Sequence, residues 1–190
     1  MSPRPLARTL AWIDRHATPR RALALTALAV VVLAAENLLD FPLSVPFMQR
    51  TSGHTYLDMC AFCSRAQIEA QLDGFGVAGR HLQLWLLPTI DVIIPFLGAA
   101  FGSVALAVLV RDRDRRWRIV RLLPLVALAL DLVENTAIAA LVIAHPHRLP
   151  IVAALSGVIT GAKFAAYGAT VVAIAALGLV PGRRAAPART

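Results

Sequence analysis

The sequence predicts an all-α integral membrane protein, a bundle of four transmembrane helices forming one domain over residues 1–190. Hydrophobic residues make up 58% of the chain, and the mean hydropathy is +0.67. A helix needs about 20 apolar residues to cross the hydrocarbon core. Four apolar runs meet this length, near residues 21–43, 81–110, 119–144 and 150–180.

The segment before the first span, about residues 4–16, places Leu10, Trp12 and Ile13 among basic residues. This pattern predicts a short amphipathic helix lying on the cytoplasmic membrane surface. The first span is not expected to be a cleavable signal, because it contains Glu36 and no small-residue cleavage site follows it.

The loop before the second span contains a polar stretch, residues 64–72, that predicts a helix. The glycine-rich stretch 73–79 then ends this helix and begins span two. Within span two, Pro88 and Pro95 frame Asp91. Prolines inside a membrane helix are tolerated where the freed carbonyls find partners or line a cavity. We therefore expect span two to bend beside Asp91.

Span four is expected to stop at Pro181-Gly182, and the tail over about residues 182–190 to be disordered. The arginines give the orientation. Fourteen of them lie before span one, between spans two and three or after span four, and four lie in the other two loops. This bias predicts both termini in the cytoplasm of a multi-pass protein of the bacterial cytoplasmic (inner) membrane.

The net charge of +8 does not predict nucleic-acid binding. The basic clusters are accounted for as topology signals that also meet anionic lipid head groups. We expect the partner to be a membrane lipid or another apolar small molecule.

The spans also suggest an internal repeat. Span one contains Glu36-Asn37 and span three contains Glu134-Asn135, while Asp91 and Lys163 each lie twenty residues before an arginine that follows their span. Two tandem helical hairpins related by a pseudo-two-fold axis along the membrane normal would produce this pattern.

Six ionisable residues interrupt the apolar runs: Glu36, Asp40, Asp91, Asp131, Glu134 and Lys163. Each charge at the bilayer centre costs roughly 2.5–3.5 kcal/mol on insertion scales, so a role in structure or function is expected. Asp131, Glu134 and Asn135 share one helix face by their spacing. Polar residues recur at helical period in span four, at Ser156, Thr160, Lys163, Tyr167 and Thr170. These faces predict a small hydrated pocket that opens outward.

Five carboxyl groups facing one ammonium cannot all ionise in a low dielectric, which suits acid–base chemistry. We therefore predict an isomerase, cyclase or hydrolase acting on a lipid or isoprenoid in the outer half of the bilayer. Asp131 or Glu134 would protonate the substrate, and Glu36 or Asp91 would remove a proton or activate water. The residues expected to bind substrate or stabilise charge are Asn37, Asp40, Asn135, Thr160, Lys163 and Tyr167.

Other interpretations remain open. The second is a small oligomeric proton- or cation-coupled transporter or channel, with glycines in spans two and four at helix contacts within or between subunits. A third is a non-catalytic lipid-binding accessory protein. The polar residues would otherwise form a purely structural core, with Lys163 paired to a carboxylate.

No cofactor is expected. A divalent metal is less favoured: carboxylates suit it, but His145 and His147 fall in a loop rather than at helical ligand spacing. Cys60 and Cys63 form a C-x-x-C in the loop placed on the oxidising side, and a local disulfide, a redox pair, a soft-metal site and two buried thiols stay open. Lys163 is favoured as a counter-ion over a Schiff-base nucleophile.

The segments Gly79-Arg80, Asp91 with Pro95, 131–135 (D-L-V-E-N) and Thr160 with Lys163 resemble a pattern in small, uncharacterised four-span bacterial membrane proteins. This resemblance covers spans two to four and implies no activity. By analogy alone, sterol isomerases and integral membrane terpene cyclases also place acids and asparagine in a lipid-accessible pocket, without a shared motif.

Overall fold

The computed structural model describes residues 5–113 and 115–179. Within these ranges the chain is helical with no strand, and four helical segments are long and apolar enough to cross a membrane. This confirms the predicted all-α membrane bundle. The tail predicted to be disordered, about residues 182–190, lies outside the described residues.

Eight α-helices lie in the described ranges: α1 Pro5–His16, α2 Pro19–Leu38, α3 Val45–Ser52, α4 Arg65–Gly74, α5 Gly76–Leu86, α6 Ile90–Val110, α7 Leu123–Ala144 and α8 Pro150–Leu179. Two 3₁₀ helices, Leu57–Met59 and Arg115–Leu122, complete them. Helices α6, α7 and α8 pack against one another, and α2 packs on α6. We call the end of the bundle that carries residues 39–75 the loop end and the opposite one the arginine end.

Helix α1 forms where the amphipathic pattern predicts it and packs against the arginine end of α6. Ile13 and Ala17 are buried against Ala107. The Arg111 Nη2 donates a hydrogen bond of 2.6 Å to the Ala17 carbonyl oxygen, and the buried Arg121 pairs with Asp14. Apolar contact and these polar contacts together fix α1 to the bundle.

Helix α2 ends at Leu38, earlier than the predicted end near residue 43. Ser44 explains this, because its hydroxyl accepts the Phe47 amide at 3.2 Å and begins a new helix, α3. The prediction that Asp40 lies within the first span is therefore wrong. Asp40 lies in the connecting turn and forms an ion pair with Arg50.

Span two is two helices, α5 and α6, and it begins at Gly76 rather than near residue 81. The break falls beside Pro88, which has no amide hydrogen to donate. The Thr89 hydroxyl donates to the carbonyl oxygens of Trp85 at 2.5 Å and Leu86 at 3.0 Å, so freed acceptors find a partner. The break places Asp91 in the first turn of α6.

The loop end has its own apolar core, in which Met48, Tyr56, Leu57 and Ile68 are at most 1% exposed. The buried Gln83 side chain accepts the Leu57 amide at 2.9 Å. These contacts hold the 3₁₀ helix Leu57–Met59 in place over the transmembrane helices.

The same segment is docked on α8. The Phe62 amide donates to the Gly157 carbonyl oxygen at 2.8 Å, and the Phe62 ring lies where a side chain at residue 161 would project. Cys60 and Cys63 are joined by a disulfide, as one of the open interpretations predicted. Gly157 and Gly161 thus serve close contacts within the chain.

An exposed cluster joins the end of α4 to the loop between α7 and α8. Asp73 accepts from Arg148 Nη2 at 2.6 Å and contacts His145 Nε2 at 3.0 Å. The hydrogen bonds from Arg148 and then His145 hold the pKa of Asp73 below its ordinary value. Helix α4 lies where the loop helix was predicted, at residues 64–72, and it begins with a capping box between Ser64 and Gln67.

Candidate functional site

A cavity of about 530 Å³ lies between α2, α6 and α8. Its walls are mainly apolar toward the arginine end, and its polar residues gather toward the loop end, below the 3₁₀ helix Leu57–Met59. The polar lining residues there are Glu36, Asn37, Tyr56, Asp58, Asp91, Asp131, Lys163 and Tyr167. On α2 the lining runs from Thr26 to Asn37, and the ten helical steps from Thr26 to Glu36 correspond to about 15 Å.

Lys163 is at the centre of the polar end. Its side chain is 4% exposed, and its Nζ lies 2.5 Å from Glu134 Oε2 and 3.3 Å from Asp131 Oδ1. Nζ also donates to the Asp58 carbonyl oxygen at 3.2 Å. A buried ammonium requires such partners, because an uncompensated charge is strongly destabilising. Lys163 is therefore an ion-pair partner in this arrangement.

Two of the predicted catalytic carboxyls differ from the pair at Lys163. Asp91, 8% exposed, and the half-buried Glu36 line the cavity and make no ion pair with any residue in the described ranges. Asp91 Oδ2 is buried without a hydrogen-bond partner. The polar end thus contains carboxyls in two settings, one beside a cation and one without.

Asp58 is a site residue that the sequence pattern does not indicate. It lies in the 3₁₀ helix of the loop, where no helical period marks which face is buried. Its side chain lines the cavity, and its Oδ1 is buried without a hydrogen-bond partner. The one local signal in the sequence is its apolar neighbour Leu57, which is buried in the structure.

Two tyrosines add hydroxyl groups to the polar end. The Tyr56 and Tyr167 hydroxyls are both buried without a hydrogen-bond partner among the described residues. Burial raises the pKa of Tyr56, and the nearby Asp58 and Glu36 raise it further. Tyr56 therefore stays neutral over the physiological range and offers a hydrogen-bond donor to a ligand.

The remaining predicted residues lie behind or beside the cavity. Glu134, fully buried, accepts from the Thr160 hydroxyl and does not line the cavity. Asn135 Nδ2 donates to the Asp91 carbonyl oxygen at 3.2 Å, which supports the first turn of α6. Asn37 lies exposed at the cavity edge, with its Nδ2 bonded to the Leu33 carbonyl at 2.9 Å. Asp40, in its exposed ion pair, is outside the cavity.

Across the described ranges, no group of three or more histidine, cysteine, aspartate or glutamate side chains is arranged to hold a metal ion. The cysteines are joined in a disulfide, so within this structure they offer no thiolate. The chemistry available at the cavity is proton transfer and hydrogen bonding by carboxyl, ammonium and phenol groups next to an apolar wall.

Comparison of the chain with protein-family models, with curated proteins and with solved structures gives no match in any of the three. What the cavity binds must therefore follow from its shape and charge.

Proposed function

We propose that the protein is an intramembrane acid–base enzyme that acts on a lipid or isoprenoid. One observation supports this above the others: a single cavity joins an apolar channel to carboxyls in two electrostatic settings. The channel suits a hydrocarbon chain of about 15 Å. Acid–base catalysis needs one group that donates a proton and another that accepts one, and different environments are how a protein provides both.

We assign Asp91 as the proton donor and Asp131 as the acceptor, which reverses the roles expected from sequence. Asp131 contacts the Lys163 ammonium, which favours its charged form. Asp91 has no cationic partner, so it is the better place for a proton. Glu134 positions Lys163 from behind the cavity, and the Tyr56 and Tyr167 hydroxyls orient the polar part of the substrate.

The simplest reaction is the shift of a carbon–carbon double bond. Asp91 transfers its proton to one alkene carbon, which leaves a carbocation at the other carbon and a carboxylate on Asp91. Asp131 then removes a proton from the carbon on the far side, and that electron pair forms the new double bond. Proton return from Asp131 to Asp91 restores the site, so no cofactor is consumed. Attack of a second double bond on the carbocation would instead give a cyclase.

Deuterium uptake tests this proposal without knowledge of the exact substrate. Purified protein in liposomes would be incubated in D₂O with unsaturated phospholipids, fatty acids and prenyl alcohols, and the products weighed by mass spectrometry. Asp91 exchanges its proton with solvent, so a substrate should gain deuterium at carbon. Asp91→Asn and Asp131→Asn should each lower the rate by roughly 10²–10⁴-fold, the range for loss of a general acid or base.

The control is Glu69→Gln, an acid at the loop end that pairs with Arg65 and does not line the cavity. This variant should exchange like the wild type. Wild-type protein that introduces no deuterium into any member of the panel would refute the enzyme proposal.

A second candidate, a small proton- or cation-coupled transporter, is favoured by the break in span two. Discontinuous helices that present a helix end near the middle of the membrane are typical of secondary transporters. Alternating access in four helices requires at least a dimer. A detergent-stable monomer in light scattering would count against this candidate.

For location we propose a bacterial inner-membrane protein with both termini in the cytoplasm, supported by the arginine bias. The loop end, with its acids and disulfide, would then face the oxidising side.

A further inference from the structure

The polar end of the cavity contains more negative than positive groups. Lys163 is the one cation among the residues that line it, and its ammonium already contacts Asp131, Glu134 and the Asp58 carbonyl oxygen. The cluster of Lys163, Asp131 and Glu134 therefore has a net charge of −1 when all three side chains are ionised.

Three further carboxyls face the same space: Glu36, Asp58 and Asp91. None forms an ion pair with a residue that the structure describes. Buried polar atoms in proteins nearly always have partners, so each exception calls for an explanation. Here Asp91 Oδ2, Asp58 Oδ1 and the hydroxyls of Tyr56 and Tyr167 all lack one. Asp91 is 8% exposed and Tyr56 is 1% exposed, so solvent gives them little compensation.

We propose that this cavity selects an amphiphile whose head group carries a positive charge. A chemically stable ligand of this kind is a protonated amine with a single apolar chain. The ammonium would lie among Glu36, Asp58 and Asp91, and the single apolar chain would extend between α2, α6 and α8 toward Thr26. This inference rests on the proposed function, in which Asp91 creates a carbocation at the same position. An ammonium would imitate that cation.

The aromatic lining agrees with a cationic ligand. Phe101, Phe164 and Tyr167 line the cavity, and the faces of aromatic rings attract cations. Lys163 Nζ already lies 5.1 Å from the centre of the Phe164 ring. An anionic head would find no free cation, because the Lys163 ammonium already contacts Asp131 and Glu134, and the net negative charge of that cluster would repel it. A neutral hydroxyl would satisfy one or two acceptors and gain no charge attraction.

The test compares three molecules with one chain and three heads: farnesylamine, farnesol and farnesoic acid. Radiolabelled farnesylamine would be bound to wild-type protein in nanodiscs of zwitterionic lipid, with empty nanodiscs subtracted as the blank. Unlabelled farnesol should compete roughly ten- to hundredfold less well than unlabelled amine, the factor that hydrogen bonds to charged groups provide. Farnesoic acid should compete least.

Variants of the cavity carboxyls test which side chains attract the ammonium head. Asp58→Asn removes a carboxylate while the carbonyl oxygen that binds Lys163 remains, so it is the mildest change at the site. It and Glu36→Gln should each weaken amine binding several-fold and weaken farnesol binding less, because a neutral hydroxyl keeps an amide acceptor and loses no charge attraction. Glu69→Gln, paired with Arg65 outside the cavity, should alter neither. If a variant does not fold, the three-head comparison on the wild type still decides.

The outcomes separate this inference from the enzyme proposal. Farnesol competing as well as the amine, or amine binding unchanged in both folded cavity variants, would overturn charge selection and leave the deuterium test standing. Selective amine binding together with no deuterium uptake would uphold charge selection and remove the enzyme proposal.

Discussion

Replacing Lys163 with methionine should destabilise the protein strongly. The change keeps an unbranched side chain and removes the ammonium that lies 2.5 Å from Glu134 and 3.3 Å from Asp131. The side chains of Glu134 and Asp131 are 0% and 3% exposed, so water cannot replace the lost partner. Breaking a buried pair in this way costs about 3–5 kcal/mol of unfolding free energy.

For a chain of this length, such a loss lowers the melting temperature by roughly 6–20 °C. Thermal unfolding in detergent, followed by circular dichroism, measures it. The triple variant Lys163→Met, Asp131→Asn, Glu134→Gln should recover part of the loss, because it leaves no uncompensated buried charge.

Arg65→Met is the matched control, since it removes a cation from an exposed i,i+4 pair in which Arg65 is 53% exposed. It should cost only about 0.3–0.5 kcal/mol. A Lys163→Met variant that unfolds within 1 °C of this control would refute a buried ion pair at the centre of the site.

Three further predictions concern the loop end. A Cβ at Gly157 would overlap the Cys63 carbonyl oxygen, so Gly157→Ala should lower the melting temperature, while Gly168→Ala, with open space around it, should leave it unchanged or raise it; equal effects would contradict the docked loop. The lowered pKa of Asp73 means that its contacts add stability above about pH 4 and lose it as the pH falls through the folded-state pKa, so hydrogen-exchange protection factors in α4, corrected for the intrinsic pH dependence of amide exchange, should fall in acid in the wild type and show no such step in Asp73→Asn. Protein from intact membranes should take up maleimide on Cys60 and Cys63 only after reduction; labelling without reductant would contradict the disulfide.

The sequence was sufficient to predict the four spans and the shared direction of their polar faces. Hydrophobic length identifies a span, and the spacing of Asp131, Glu134 and Asn135 puts them on one side of α7. The sequence could not predict which of these three side chains lines the cavity, because one face of a helix covers a wider area than the cavity wall. Glu134 and Asn135 lie behind it while Asp131 lines it.

The rest depended on local backbone geometry and on contacts distant in sequence. Ser44 caps α3, which ends α2 early and moves Asp40 out of the site. Asp58 reaches the cavity because the neighbouring Leu57 amide donates a hydrogen bond to the side chain of Gln83, which lies twenty-six residues beyond Leu57. No periodic pattern within a loop contains that information. The pseudo-two-fold relation between the hairpins stays a prediction.

An experimental density map of the cavity, from protein purified out of its membrane, would show directly whether the cavity holds an amphiphile. We expect an elongated feature between α2, α6 and α8 that runs from Thr26 to Asp91, with its polar end among the carboxyls. A spherical feature with carboxylate oxygens at about 2.0–2.6 Å would indicate a metal ion instead and would contradict this expectation. A cavity closed by α2 packing directly against α8 would contradict it as well.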